Sequence, residues 1–287
     1  MVDTFHKVLI ALEQDIICEC KSIDSQIMPS SMLHQHDGNE LLLLLNGKAE
    51  LYSEGAGKYL ERGDLVCIKS RDFHHVRLLD DKVYDRIVIN FKDSVLQRLS
   101  TEQTDLTKCF YQVPQGELNL IRLDEDGIAE FEDLAHRLEH ILKGDQFGSD
   151  VLANAFLMQI LVMINQRTLV SGQMEYQRIL PELVSDIFFY VEQNLTEDLS
   201  IRALEKQFRY NGVYMSRCFR QVMGTTLQQY IIAKRCSLAQ QLLCQGVAPY
   251  DACFLSGFNN YSNFARTFTQ QTGVSPKKYQ IRNRGDR

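Results

Sequence analysis

The feature that most constrains the fold is an internal repeat in the C-terminal third of the chain. Residues 214–230 align without a gap with residues 263–279, at an offset of 49 residues. A repeat of this size indicates two copies of one supersecondary element. Five aligned positions are identical, namely Arg217/Arg266, Phe219/Phe268, Gln221/Gln270, Gly224/Gly273 and Tyr230/Tyr279.

Each copy of the repeat predicts two helices joined by a tight turn. In the first copy Ser200 is expected to cap a helix over 201–208, and a turn at 210–212 leads to a helix over 213–223 that Gly224 closes. In the second copy the helices are expected at 251–256 and 261–272, with a turn between them and Gly273 at the end. This arrangement is typical of a helix-turn-helix.

The second helix of each copy has an apolar face and a polar face. Met215, Phe219 and Val222 recur at helical spacing and should be core, as should Phe264 and Phe268. Arginine can grip a guanine bidentately, and serine or asparagine can bond base edges. A lone arginine on a helix is usually a solvated charge, but here it recurs at the same place in both copies, which favours DNA. The candidate DNA-binding residues are Val213, Ser216, Arg217, Arg220, Ser262, Asn263 and Arg266.

The charge distribution agrees with that interpretation. Residues 177–287 carry 14 basic and 8 acidic residues, a net of +6, whereas residues 1–176 carry 17 and 29, a net of −12. A basic domain joined to an acidic one is typical of a nucleic-acid-binding module attached to a module of another kind.

No pair of the eight cysteines shows C-x-x-C spacing, and Cys18 and Cys20 are too close to form a zinc knuckle. Most of the cysteines therefore read as small, reduced hydrophobes.

The spacing of apolar residues in the N-terminal half changes along the chain, from a pattern typical of strands to one typical of helices. From about residue 23 to residue 91, short strands separated by turn signals such as Asn46-Gly47 predict a compact sandwich or barrel. From residue 124, apolar residues at three- and four-residue spacings predict two helices, over about 128–142 and 151–166. Their apolar stripe is broad enough to pack on the barrel, to form a dimer seam, or both.

The C-terminal repeat resembles the AraC/XylS family of transcription regulators. The residues that carry the resemblance are Gly257-Phe258, Ser262, Phe264, Arg266, Phe268, Gly273, Ser275-Pro276 and Tyr279. The resemblance covers residues 182–282 and implies two helix-turn-helix units joined by one long helix, here about 226–245, with both recognition helices in successive major grooves. Pro249 and Thr269 depart from the usual pattern, in which an aliphatic and a basic residue stand there.

The N-terminal half carries a histidine-rich motif. His34-x-His36-x(3)-Glu40 matches the first cupin motif, and Gly63-Asp64 with His74 resembles the second, a set that could bind Mn, Fe or Zn. Lys69, Arg71 and Leu78 stand where the second motif needs Pro, Gly and Asn, so we expect no metal and no cofactor. We expect instead an effector pocket in the barrel mouth. Its candidate residues are His34, His36, Glu40, His74, Tyr52 and Tyr84, although aromatic side chains of this kind are more often plain core.

The sequence thus predicts a multi-domain α+β chain that is a regulator and not an enzyme. The expected divisions are a cupin-like domain over 1–123, a helical dimerisation segment over 124–168, a linker over 169–180 and a double helix-turn-helix domain over 181–287. With no apolar run near the ~20 residues that span a bilayer and no signal peptide, we expect a cytoplasmic protein. The family resemblance implies a homodimer that binds double-stranded DNA and a small effector, a sugar being the commonest case, and that contacts RNA polymerase. Two alternatives stay open: a metal-dependent cupin enzyme fused to a DNA-binding domain, and a regulator controlled by a protein partner.

Overall fold

The computed structural model describes residues 9–24, 33–79, 83–113, 117–170 and 179–283. Its contacts divide the chain into two compact units. The first comprises Ala11–Ser31 and Gln35–Leu180, and the second comprises Pro181–Arg287 together with Met1–Ile10 and Met32–His34.

The first unit is built on two antiparallel sheets. The five-stranded sheet has the order β10-β7-β4-β9-β2, and the three-stranded sheet has the order β6-β5-β8. The strands of the chain are β1 Leu9–Ile10, β2 Ile16–Asp24, β3 Gln35–His36, β4 Gly38–Asn46, β5 Ala49–Ser53, β6 Ala56–Leu60, β7 Asp64–Ile68, β8 His74–Leu78, β9 Val83–Lys92 and β10 Asn119–Arg122. The sandwich or barrel prediction is confirmed, although the sequence did not indicate β10 or most of β2.

The central strand β4 shows why the unit has three layers. Successive side chains of a strand point to opposite faces, so a strand that is apolar throughout is covered on both. Leu42 and Leu44 pack against the three-stranded sheet. Leu41 and Leu43 pack against the helices on the other face. Those helices are α1 Asp93–Leu99, α2 Lys108–Tyr111, α3 Glu125–Leu142 and α4 Ser149–Val170.

Helices α3 and α4 occupy the region of the two predicted helices. Phe131 and Leu138 of α3 are fully buried in the core over the five-stranded sheet, so the apolar stripe does pack on the barrel. Helix α4 continues through residues 169–170, the first two residues of the predicted linker. The linker residues 171–178 lie outside the described part of the chain.

The second unit contains both helix-turn-helix elements. Its helices are α5 Glu182–Gln193, α6 Ile201–Phe208, α7 Gly212–Met223, α8 Leu227–Cys244, α9 Pro249–Leu255, α10 Tyr261–Thr272 and α11 Pro276–Arg282. Two predicted starts were wrong. Helix α7 begins at Gly212 because Asn211 is its N-cap, and α9 begins at Pro249 because proline suits the first helical position.

Gly212 fixes the close crossing of α6 and α7. A Cβ atom at this position would lie 2.2 Å from Cγ2 of Ile201 and 3.0 Å from Oε1 of Glu205. The Gly212 amide also donates to Oε1 of Glu205 at 2.7 Å. Only glycine allows the two helices to approach this closely.

In the part of the chain that the structure describes, no helix is both long enough and apolar enough to cross a membrane.

Candidate nucleic-acid interface and sensing site

The two candidate recognition helices, α7 and α10, begin and end in the same way. The side chains of Asn211 and Asn260 cap them, each accepting a backbone N–H bond at 2.9 Å. At the other end Gly224 and Gly273 adopt left-handed conformations with φ of 66° and 79°. These positions are 49 residues apart, like the repeat itself. Equivalent ends mean that equivalent residues in the two helices point in equivalent directions.

The predicted DNA-contacting residues lie on the outer faces of these helices. On α7, Val213 is 78% exposed, Arg217 and Arg220 are exposed, and Ser216 is half-buried. On α10 the predicted residues Ser262, Asn263 and Arg266 are all exposed. The opposite faces are buried, as predicted, through Met215, Phe219, Val222, Phe264 and Phe268.

Each repeated arginine is held by the residue three positions before it. The guanidinium of Arg217 lies 5.6 Å from the centre of the Tyr214 ring, which is close enough for a cation–π contact. In the second unit Nη2 of Arg266 donates to Oδ1 of Asn263 at 3.0 Å. Tyr214 and Asn263 occupy the same repeat position. The sequence analysis selected Asn263 and missed Tyr214, although the offset of 49 residues pointed to it.

A buried polar cluster lies in the barrel of the first unit. Nε2 of His36 is 2.9 Å from Oε2 of Glu40, and Nε2 of His74 is 3.8 Å from the other oxygen of the same carboxylate. The two imidazole rings meet edge to face, with their centres 5.1 Å apart. All three side chains are at most 7% exposed. The structure therefore brings together His36, Glu40 and His74 of the predicted pocket, and ring nitrogens of His34, His36 and His74 lie within 4.8 Å of one another.

The hydrogen bonds of His36 favour its protonated form. Nδ1 lies 2.7 Å from the carbonyl oxygen of Gly38, while Nε2 faces the Glu40 carboxylate. Both partners are acceptors, and an imidazole donates from both nitrogens only when it is charged. Burial alone would lower the pKa of His36, but the bond and the charge of Glu40 outweigh it and raise that pKa above its ordinary value.

The two predicted tyrosines are not part of this cluster. Tyr52 points to the opposite face of the three-stranded sheet, where its hydroxyl donates to Glu50 and its ring stacks on His75. Tyr84 is buried in the barrel interior, and burial raises its pKa. It lies near the opposite end of β9 from Asn90, the register partner of Glu40. His34 is half-buried.

The barrel interior also contains polar residues that the sequence analysis missed. Asn90 is the register partner of Glu40, and Arg86 is the partner of Leu44, so both face the interior. Nε of Arg86 and Oδ1 of Asn90 are buried without a hydrogen-bond partner among the described residues. Lys58, opposite Leu51, faces the same interior and is 8% exposed. The alternation along β9 (residues 84, 86, 88 and 90) was the available signal.

Comparison with known proteins agrees with both halves of this description. Residues 26–161 match a family model described as an AraC-like ligand binding domain, and residues 204–282 match one described as a helix-turn-helix domain. The HTH-type transcriptional activator RhaS of Escherichia fergusonii is 22% identical over 247 residues, which is 85% of this chain and 86% of the relative. The HTH-type transcriptional activator AarP of Providencia stuartii is 26% identical over 117 residues, 40% of this chain and 87% of the relative. A crystal structure of unsaturated fatty acid bound ToxT from Vibrio cholerae covers 93% of this chain and 95% of its own, with 14% identity and a TM-score of 0.41.

A β-rich ligand-binding domain followed by two helix-turn-helix elements defines a DNA-binding transcription regulator of the effector-responsive kind. The chain belongs to the AraC/XylS family, as the resemblance of its C-terminal repeat indicated. Its C-terminal domain binds DNA, and its N-terminal domain takes a small-molecule effector.

The charged His36–Glu40 pair makes stability depend on pH. The folded-state pKa of His36 is raised above 6.5, so the pair contributes stability that is fully present below about pH 6 and is lost as the pH rises through the raised pKa. We expect the melting temperature of the wild-type protein to fall more steeply above about pH 6 than that of His36→Gln. Thermal unfolding across this pH range measures the difference. His140→Gln, at an exposed position of α3, is the matched control. Parallel curves for the wild type and His36→Gln would contradict it.

Proposed function

We propose that this protein is a ligand-responsive activator that reads DNA with α7 and α10. The observation that carries the proposal is the pair Arg217 and Arg266. They lie at one repeat position on the exposed faces of two helices that each begin at an asparagine cap and end at a glycine. Helix-turn-helix proteins place the first turns of the recognition helix against base edges. Both arginines lie in the first half of their helices, where such contact is made.

The two helices differ in the other residues they present, which predicts two different half-sites. Val213 and Ser262 share a repeat position, but the valine offers only an apolar surface whereas the serine offers a hydroxyl. An apolar side chain suits a thymine methyl group, and a hydroxyl bonds a base edge. We therefore infer that one chain recognises an asymmetric sequence, read by α7 and α10 in successive major grooves.

We infer that the effector is a small hydroxylated molecule, with a sugar as the first candidate. The barrel interior is apolar apart from a few polar groups, among them Glu40, Arg86 and Asn90. Few polar groups within apolar walls are typical of sites that orient a small polar ligand. Binding would shift the balance between two arrangements of the DNA-binding halves. Contact with RNA polymerase would then activate a nearby catabolic operon.

We also propose a homodimer formed through α4. Val151, Ala155, Met158 and Val162 recur at spacings of four, three and four residues. Val151 is 65% exposed and Met158 is 39% exposed. Apolar residues at this spacing on an exposed helix face are typical of a helix–helix seam.

Loss of either repeated arginine should weaken specific DNA binding. Duplexes enriched from a random pool by the wild-type protein supply the target. We expect Arg217→Ala and Arg266→Ala each to cost about 1–3 kcal/mol of specific affinity, because a bidentate base contact is lost. Fluorescence anisotropy at fixed salt measures it. Arg98→Ala, which removes an exposed arginine from α1, is the control and should bind like the wild type. Unchanged binding by both recognition-helix variants would refute the proposed roles.

A polar effector should bind in the barrel interior. We expect calorimetry against a panel of sugars and other small metabolites to identify one that binds. Asn90→Leu should weaken the binding of that metabolite by about tenfold, because one good hydrogen bond is lost. The same metabolite should also raise transcription from a reporter that carries the enriched DNA. A clean negative across the panel would favour control by a protein partner. Stoichiometric iron or manganese in the purified protein, lost in His36→Ala, would favour the cupin enzyme instead.

A charge in the proposed seam should separate the dimer. We expect the wild-type chain to sediment as a dimer and the double variant Val151→Glu, Met158→Glu to sediment as a monomer, because a carboxylate buried in an apolar seam loses its hydration. Sedimentation equilibrium measures both masses, and Gln159→Glu, beside the stripe, is the control. A monomeric wild type, or a dimeric double variant, would rule out this seam.

A further inference from the structure

Strand β2 and helix α3 bring three metal-ligating side chains together on the helix-covered side of the five-stranded sheet. Sγ of Cys20, a ring nitrogen of His136 and a carboxylate oxygen of Glu139 all lie within 4.8 Å of one another. Cys20 and Glu139 are half-buried, and His136 is exposed. This cluster is separate from the His36–Glu40–His74 cluster, which lies on the opposite face of the same sheet.

The backbone around the cluster is held by two further contacts. The amide of Cys20 donates to Oε1 of Glu139 at 3.4 Å, and the Cys18 thiol lies 3.4 Å from the carbonyl oxygen of Ala135. Both contacts join β2 to α3. A hydrogen bond between the two thiols lowers the pKa of Cys20 and raises that of Cys18. Cys20 and not Cys18 belongs to the candidate ligand set, because the Cys20 sulfur lies within 4.8 Å of the ligand atoms of His136 and Glu139.

We propose that Cys20, His136 and Glu139 form a binding site for a zinc-type divalent cation. Sulfur, imidazole and carboxylate are the three donor types that zinc uses in proteins, and a set of one each fits zinc better than magnesium or calcium, which prefer oxygen alone. Three protein ligands leave the fourth tetrahedral position open. Cys20 and His136 also line a surface groove, together with Asn46, Asp85 and Glu132, from which water can supply a fourth ligand.

The spacing of the cluster suits a site that closes when the ion enters. A tetrahedral ion with bonds of about 2.0–2.3 Å needs its ligand atoms closer together than 4.8 Å. His136 is exposed, and rotation about its side-chain torsions can move its ring nitrogen closer to the other two ligand atoms. Lys143 already contacts Oε1 of Glu139 at 3.0 Å, but this lysine is 71% exposed and such surface pairs are weak. A divalent ion would displace it readily.

Zinc binding is tested on the full-length reduced protein after treatment with a chelator. Zinc is titrated in competition with a chromophoric chelator, and we expect one ion per chain. Cys20→Ser and His136→Ala should each lower the affinity at least about tenfold, since even outer-shell changes cost 10- to 100-fold. His140→Ala, one turn further along α3, is the matched control and should bind like the wild type. Zinc should also raise the melting temperature of the wild type and of the control, but not of the two ligand variants.

Two results would overturn the proposal. One is the absence of stoichiometric zinc binding by the wild-type protein. The other is binding that survives in both Cys20→Ser and His136→Ala. A cobalt titration of the wild-type protein gives an answer that depends on no variant: a thiolate-to-cobalt charge-transfer band supports a cysteine ligand, and its absence counts against the site. The melting temperature of each variant without metal shows that it is folded.

Discussion

A contact between a phenylalanine and a tyrosine holds each DNA-binding unit in shape. The rings of Phe219 and Tyr230 are 5.4 Å apart, and those of Phe268 and Tyr279 are also 5.4 Å apart. In each unit the phenylalanine belongs to the recognition helix and the tyrosine to the helix that follows. A step of two residues turns a helix by about 200°, so the arginine two residues before each phenylalanine points away from the core. Burying the ring therefore aims the arginine.

Most of the DNA-binding domain could be predicted because the two copies of its repeat can be compared position by position. The glycine helix ends, the buried faces and the exposed arginines all follow from matching positions. The role of Tyr214 could not be predicted, because its repeat partner is an asparagine and the two hold arginine by different contacts. The start of α7 at Gly212 was also missed, because Asn211, which was assigned to the turn, is the N-cap of the helix.

The sensing domain was less predictable because its polar residues depend on strand register. A slip of one residue moves every side chain of a strand to the other face. The histidine motif located His36, Glu40 and His74, but Tyr52 was assigned to the wrong side of its sheet. The alternation along β9 puts Arg86 and Asn90 on one face of the strand, but only the pairing with β4 shows that this face is the barrel interior. Strand β2 was largely missed, because Ile17 and Ser22-Ile23 interrupt its apolar–polar alternation. The proposed ligands opposite Cys20 lie more than a hundred residues further along the chain.

The charge balance of the chain explains why single arginines should matter. Non-specific DNA affinity comes from cations that neutralise phosphates, and it grows with their number. The C-terminal residues have a net charge of only +6, and the rest of the chain contributes −12, so long-range attraction to DNA is modest. Discrimination must then come from short-range contacts to bases. With one repeated arginine on each recognition helix, the proposed contacts make specificity depend on a small number of side chains, each positioned by a neighbour and by the aromatic core beneath it.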